Sequence, residues 1–269
     1  MISKLSTTAS RGLSWLDRVA RGMANLTFLS TLELFLLRNT PAKPRVMRFR
    51  FYRERFLYRG NSDYNVMAHF YNDGYDIRPD GGADVRWIFD LGANIGDETV
   101  KFALRHPTAR ILALEPEEQN YRLLQLNAGQ FGTRIQTMRS GIWKKDSRLE
   151  VVQGSSNEAF TVRESRDGLI EGRSISSLMQ ELKADRIDIL KLDCEGAEHG
   201  LFAHNAEQWI DRVRCIIMEV ADHETPGTTQ AMFTALAASG LHFNFSICGE
   251  NIIGIREGTG LRLEKKRAL

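Results

Sequence analysis

The stretch Trp87-Ile-Phe-Asp90-Leu-Gly92-Ala-Asn94-Ile-Gly96-Asp97 decides how the rest of the chain is read. Three apolar residues, Trp87 to Phe89, run into an acid, and a glycine-rich turn leads into Glu98 to Leu104, which has helical spacing. That is the pattern of a buried parallel strand, a tight turn and a helix start. Gly92 and Gly96 let the backbone pass close to a ligand with no Cβ in the way, and the helix start presents unpaired N–H groups. Asp90, at the strand end, can accept a hydrogen bond or attract a positive centre. A pyrophosphate-binding G-x-G-x-x-G beginning at Gly92 requires glycine at 94 and 97, where the chain has Asn94 and Asp97. A carboxylate there repels a pyrophosphate and suits a cationic ligand such as a sulfonium or an amino group. A nicotinamide oxidoreductase shares this kind of sheet, but its glycine fingerprint is missing.

Outward from this stretch the strand pattern repeats. About 20 residues on, at the spacing of a ribose-binding acid, comes Arg110-Ile-Leu-Ala-Leu-Glu115-Pro116. Glu115 is placed to bind both ribose hydroxyls of an adenosine ligand; taken alone it reads as a solvated turn before proline. Arg134 to Met138 reads as a third strand, Ile187 to Leu192 as a fourth and Cys215 to Val220 as a fifth. Ligands of open parallel sheets bind at the carboxyl ends of the strands. Asp90, Glu115, Asp193 and Glu219 lie at or near such ends, so four acids converge on one edge. Leu149 to Val152 and Ala159 to Arg163 read as a hairpin and Ile175 to Leu182 as a short helix. Leu241 to Cys248 and Ile252 to Arg256 read as a closing antiparallel pair.

Three stretches resemble the FkbM-type methyltransferases: Asp90-Leu-Gly-Ala-Asn-Ile-Gly96, Glu115-Pro116 with Asn120-Tyr-Arg-Leu-Leu-Gln-Leu-Asn127, and Ile187-Asp-Ile-Leu-Lys-Leu-Asp193-Cys-Glu195-Gly196-Ala-Glu198. The resemblance covers about residues 60–256 and is strongest at the third stretch. It implies a Rossmann-like class I methyltransferase sheet, mostly parallel, with S-adenosylmethionine as cofactor. Asp90, Gly92, Asn94, Gly96 and Glu115 are then the expected cofactor-binding residues. In related methyltransferases the loop after the third strand lies near the adenine. Ile142 or Trp143 could stack on the base there, or simply pack in the core. The expected activity is O-methylation of a hydroxyl on a sugar, glycoconjugate or polyketide-type metabolite.

A hydroxyl is a poor nucleophile at neutral pH and needs a base or a metal. Asp193 is the first choice as base, with Glu195 and Glu219 orienting it or sharing the proton, and His223 is second because its ordinary pKa is nearer neutral. Asp193, Glu219 and His223 could instead hold a divalent cation, and their spacing leaves base or metal open. No metal is assigned.

With 269 residues, the chain suits one large domain with an extension. A net charge of +2 implies no polyanion partner by itself. Cys194, Cys215 and Cys248 are odd in number and far apart, which points away from a disulfide framework and toward a reducing cytoplasm. The most apolar run, Met23 to Leu37, is too polar to span a membrane. Leu13, Leu16, Val19, Ala20 and Met23 show helical spacing, and Leu26 to Leu37 reads as a second helix. These N-terminal helices suit a cap on the catalytic domain or a contact between copies of the chain. Residues 43–59 hold seven bases against Glu54, interleaved with aromatics. Such mixing can bind nucleic acid, the alternative function, but the alternation also fits a half-buried strand pair. Without an excess of positive charge elsewhere, no nucleic-acid partner is expected, and the partner is a small-molecule or glycan acceptor. Asp63 reads as a helix cap or a substrate contact. The expected division is 1–84 for the helical and basic segment, 85–258 for the catalytic domain and 259–269 for a tail.

Overall fold

The computed structural model describes residues 23, 26–36, 43–63, 75–153, 160–220, 222 and 225–264. Its contacts divide the chain into two units, 1–74 with 266–269, and 75–265.

In the first unit, helix α1 (Phe28–Leu36) starts at Thr27, whose hydroxyl accepts the Ser30 N–H at 3.4 Å. Strands β1 (Arg45–Arg48) and β2 (Arg55–Tyr58) follow as an antiparallel pair with Met47 opposite Phe56. Alternation sorts the basic–aromatic segment: Met47, Phe49, Phe56 and Tyr58 are buried, whereas Arg48, Arg50 and Arg55 are exposed. The half-buried strand pair is therefore what the segment forms. Asp63 closes the turn after β2, accepting the Arg59 backbone N–H at 2.5 Å and its guanidinium at 2.8 Å. The helical spacing before Met23 and the helix expected just after Asp63 lie outside the described residues.

The second unit begins with β3 (Asp76–Pro79), β4 (Trp87–Leu91), α2 (Asp97–Arg105), β5 (Arg110–Leu114), α3 (Glu118–Gly129) and β6 (Ile135–Met138). Next come β7 (Ser140–Ile142), β8 (Ser147–Gln153), β9 (Phe160–Glu164), β10 (Ile170–Arg173) and α4 (Ile175–Leu182). It continues with β11 (Ile189–Leu192), α5 (Glu198–Ala203), β12 (Cys215–Glu219) and α6 (Thr228–Ala238), and ends with β13 (Phe243–Cys248), β14 (Asn251–Arg256) and β15 (Leu261–Glu264). The central sheet runs β13-β14-β12-β11-β4-β5-β6. Strands β12, β11, β4, β5 and β6 are parallel, and β14 is antiparallel to both of its neighbours. This is the expected Rossmann-like α/β sheet with its closing antiparallel pair.

Both faces are covered, which is why Trp87 to Phe89 of β4 read as an apolar run. Trp87, Phe89 and Leu91 join the cluster holding Leu178, Leu201 and Leu236 of α4, α5 and α6. Ile88, between them in sequence, joins the opposite cluster with Phe102 and Ala103 of α2. Burying each such large side chain contributes roughly 1.5–3 kcal/mol. The chain winds from β4 to β5 and β6 on one side and returns to β11 and β12 on the other. The ends of β4 and β11 therefore flank the topological switch point, where open sheets bind ligands.

A second sheet, β7-β10-β8-β9, lies in the same unit. Strand β15 pairs with β3, Leu263 opposite Ile77. Residues 75–84 and 259–264 fall in the second unit, and 261–264, read from the sequence as part of a tail, form a strand. At the amino end of β11, fully buried Asp188 accepts the backbone N–H groups of Arg86 (2.6 Å) and Trp87 (2.9 Å). It also takes the guanidinium groups of Arg186 (2.7 Å) and Arg214 (2.6 Å). No helix of the described residues is long and apolar enough to cross a membrane.

Candidate active site

The turn after β4 is held from three sides. The N–H groups of Gly92 and Ala93 both donate to the Leu114 carbonyl, at 3.1 and 2.8 Å, which carries the turn across the end of β5. Gly92 has φ +89°, and a Cβ there would stand 1.8 Å from the Asp193 carbonyl oxygen. Gly96, at φ +91°, opens α2, and a Cβ there would meet the Leu124 side chain at 2.8 Å. From α3, the Asn127 amide donates to the Ile95 carbonyl at 2.7 Å. The two glycines are thus required by close packing as well as by backbone conformation.

Asp90 is fully buried. Its Oδ2 accepts the Thr99 hydroxyl at 2.5 Å, while Oδ1 has no hydrogen bond and stands 3.9 Å from the Lys191 ammonium. Burial pushes its pKa up to about 6, against the lowering effects of Lys191 and Thr99. Glu115 turns back on the chain: Oε2 accepts the Asn94 N–H and Oε1 the Glu117 N–H, each at 2.9 Å. Burial again dominates and raises its pKa to about 7.

Lys191 sits in β11 in register with Asp90 and is buried. Burial disfavours its charge, but Asp193 at 2.9 Å together with Asp90 holds it well above the usual lysine range. Asp193, at the end of β11, is hydrogen-bonded to Glu219, at the end of the adjacent β12. That bond, then burial, then the charges of Asp193 and Glu195 push Glu219 up to about 10. In this pair Glu219 is the member pushed toward its protonated form.

The loop carrying these acids is organised by Glu198 in the first turn of α5. Its carboxylate accepts the N–H of Cys194 and, at 2.9 Å, that of Gly196. Glu195 between them is left-handed, at φ +50°. A non-glycine residue there stores about 1 kcal/mol or more, and such strain clusters at functional sites.

The structure thus brings Asp90, Gly92, Asn94, Gly96, Glu115, Asp193, Glu195 and Glu219 to the carboxyl edge around the switch point. Ile142 is 3% exposed and packs in the core cluster. Trp143 beside it is half-buried, and its indole N–H donates to Glu164 at 3.4 Å. His223 lies outside the described residues, and among those described no group of three or more His, Cys, Asp or Glu side chains is placed to hold a metal ion. Two residues were missed as site members, although both stand in the third motif. A lysine inside the apolar run 187–192 is a visible signal that Lys191 needs a buried counter-charge. Glu198 gives no such signal, since an acid opening a helix is ordinary.

A profile of the Methyltransferase FkbM domain matches residues 90–245. Over 233 residues the chain is 25% identical to the AMB antimetabolite synthetase AmbE of Pseudomonas aeruginosa PAO1, a match covering 70% of this chain and 10% of that protein. The chain therefore spans about a tenth of that relative's length. It is 22% identical to Methyltransferase 1 of Beauveria bassiana, over 57% of this chain and 71% of the other. Among solved structures, the FkbM methyltransferase of Methylobacillus flagellatus KT aligns with TM-score 0.44 at 15% identity, covering 64% of this chain and 43% of that one. Aeropyrum pernix fibrillarin, solved with S-adenosyl-L-methionine, aligns with TM-score 0.41 at 15% identity, over 82% and 86%.

Proposed function

The chain belongs to the FkbM methyltransferase family, and on that premise we propose that it is an S-adenosylmethionine-dependent O-methyltransferase acting on a hydroxyl of a sugar, glycoconjugate or polyketide-type metabolite. The observation that carries this reading is the Asp193–Glu219 carboxyl pair at the ends of neighbouring strands, directly beside the Gly92 turn. A proton acceptor next to a cofactor turn is what hydroxyl methylation needs.

The residues present fit the cofactor. Gly92 and Gly96 keep the turn bare of side chains, and Asp90 Oδ1 is a buried acceptor without a hydrogen bond. Each Glu115 oxygen makes one amide hydrogen bond, which leaves a lone pair on each for a ribose hydroxyl. The acids Asp90, Asp193, Glu195 and Glu219 around the switch point favour a cationic group over a pyrophosphate. S-adenosylmethionine supplies a methyl group on a sulfonium, open to in-line attack by an oxygen.

The protein's own contribution is alignment and proton removal. Asp193 takes the hydroxyl proton as the acceptor oxygen attacks, and Glu219 orients it through their shared hydrogen bond. Lys191 pairs with Asp193 at 2.9 Å, and Glu198 fixes the loop on which Asp193 and Glu195 stand. Cys194, Cys215 and Cys248 form no disulfide, which suits a reducing, cytoplasmic setting.

The test is calorimetric titration with S-adenosylhomocysteine and, separately, NAD, on the wild type, Asp90→Ala and Glu115→Ala. Binding of S-adenosylhomocysteine alone, weakened in both variants, supports the cofactor assignment and opens an acceptor screen. Binding of NAD alone, or of neither by a folded sample, overturns it.

A further inference from the structure

Strand β13 ends the central sheet on its side: among the described strands, β14 alone pairs with it. Native edge strands are commonly guarded by charge, proline or a bulge, since an open row of N–H and C=O groups invites another strand. β13 reads Phe243-Asn-Phe-Ser-Ile-Cys248, with no charge and no proline, and its six residues pair with β14 in unbroken register. It also carries apolar surface into solvent: Ile247 is 78% exposed and Phe245 41%. Phe233 of α6, also 41% exposed, extends that surface, its ring 4.9 Å from that of Phe245.

The identity of the partner comes from the order of side chains along the strand. Laid antiparallel against its own copy with Phe245 opposite Phe245, β13 sets Ile247 opposite Phe243 twice on the same face. On the other face it sets Asn244 opposite Ser246 twice. Aromatic–aromatic, aromatic–β-branched and amide–hydroxyl pairs are the cross-strand combinations that stabilise, and no like charges meet. A two-fold contact requires this self-complementarity, whereas a foreign strand would not.

We infer that the β13 edge pairs with β13 of a second copy of this chain about a two-fold axis through Phe245, forming a dimer with one continuous sheet. The inference is independent of the catalytic reading.

Sedimentation analysis of the full chain across the micromolar range tests it. The expected result is a mass of two chains for the wild type and for Phe28→Lys on α1, and of one chain for Ile247→Lys. Ile247 and Phe28 are both exposed, so neither change threatens the fold. Residue 245 sits on the axis at about the 4.5–5.5 Å Cα separation of an antiparallel pair, within disulfide reach. Phe245→Cys should therefore crosslink to itself under mild oxidation, and Asn244→Cys should not, with the wild type as control for the native cysteines. A single-chain wild type, a dimer that survives Ile247→Lys, dissociation by Phe28→Lys, or crosslinking through 244 in preference to 245 each overturns the proposal.

Discussion

The carbonyl oxygen of Asp193 fills the space that any side chain at Gly92 would need, 1.8 Å from where its Cβ would stand. The Gly92 turn and the loop after β11 are thereby fitted to each other backbone against backbone. Gly92→Ala must both strain a left-handed backbone and push the two loops apart. Strain and overpacking together predict a loss of about 2–6 kcal/mol of stability. In whatever fraction still folds, S-adenosylhomocysteine binding should be lost. Urea unfolding and calorimetry read the two effects, and an alanine variant that binds as well as the wild type would contradict the fit.

Glu198 satisfies two N–H groups of the loop that carries Asp193 and Glu195. Glu198→Ala leaves both donors without their acceptor and should cost about 2–4 kcal/mol in urea unfolding. Glu198→Gln keeps one acceptor oxygen and should cost less. With an acceptor substrate in hand, Glu198→Gln should lower kcat by about 100-fold with little change in KM, the signature of misplacement rather than lost binding.

Lys191 is the buried counter-charge to Asp90 and Asp193. Removing one partner of a buried pair strands the other, so Lys191→Met should destabilise by about 3–5 kcal/mol. Adding Asp193→Asn should recover part of that loss, with a coupling of about 1–3 kcal/mol in a double-mutant cycle. Strict additivity would show that the ammonium and the carboxylate do not interact.

The same edge gives the protein a pH signature. Glu115 is raised from 4.5 to about 7 by burial, so across that window the folded state binds more of this proton than the unfolded chain does. Its contribution to stability is therefore greatest below pH 4.5 and is lost as pH rises to about 7. Asp90, raised from 3.8 to about 6, acts in the same sense, while His106, pushed down from 6.5 to about 4 by burial, acts in the opposite one. The informative quantity is thus the difference between wild type and Glu115→Gln. The variant should gain on the wild type as pH rises through that window and hold a constant difference above it. Parallel stability curves would show that Glu115 does not titrate there.

Local pattern carried much of this architecture. Helix α4 and strand β12 fall where their periodicity put them, and the strand-end positions of Asp90, Glu115, Asp193 and Glu219 were visible as acids closing apolar runs. What escaped depends on contacts across the chain. Gly172 lowers the strand propensity of β10, yet a Cβ there would meet the Leu149 side chain at 2.8 Å, so the packing demands the residue that hides the strand. Strand β15 is defined by its pairing with distant β3, which no local window contains. The position of Glu115 was legible, but not the turning of its oxygens toward Asn94 and Glu117.

Asp188, at the far end of β11, ties the starts of β4 and β12 to its own strand. Because the frame is fastened there, loops at the opposite edge can change without re-registering the sheet. Loop libraries between β12 and α6 should yield fewer folded members in an Asp188→Asn background than in the wild type.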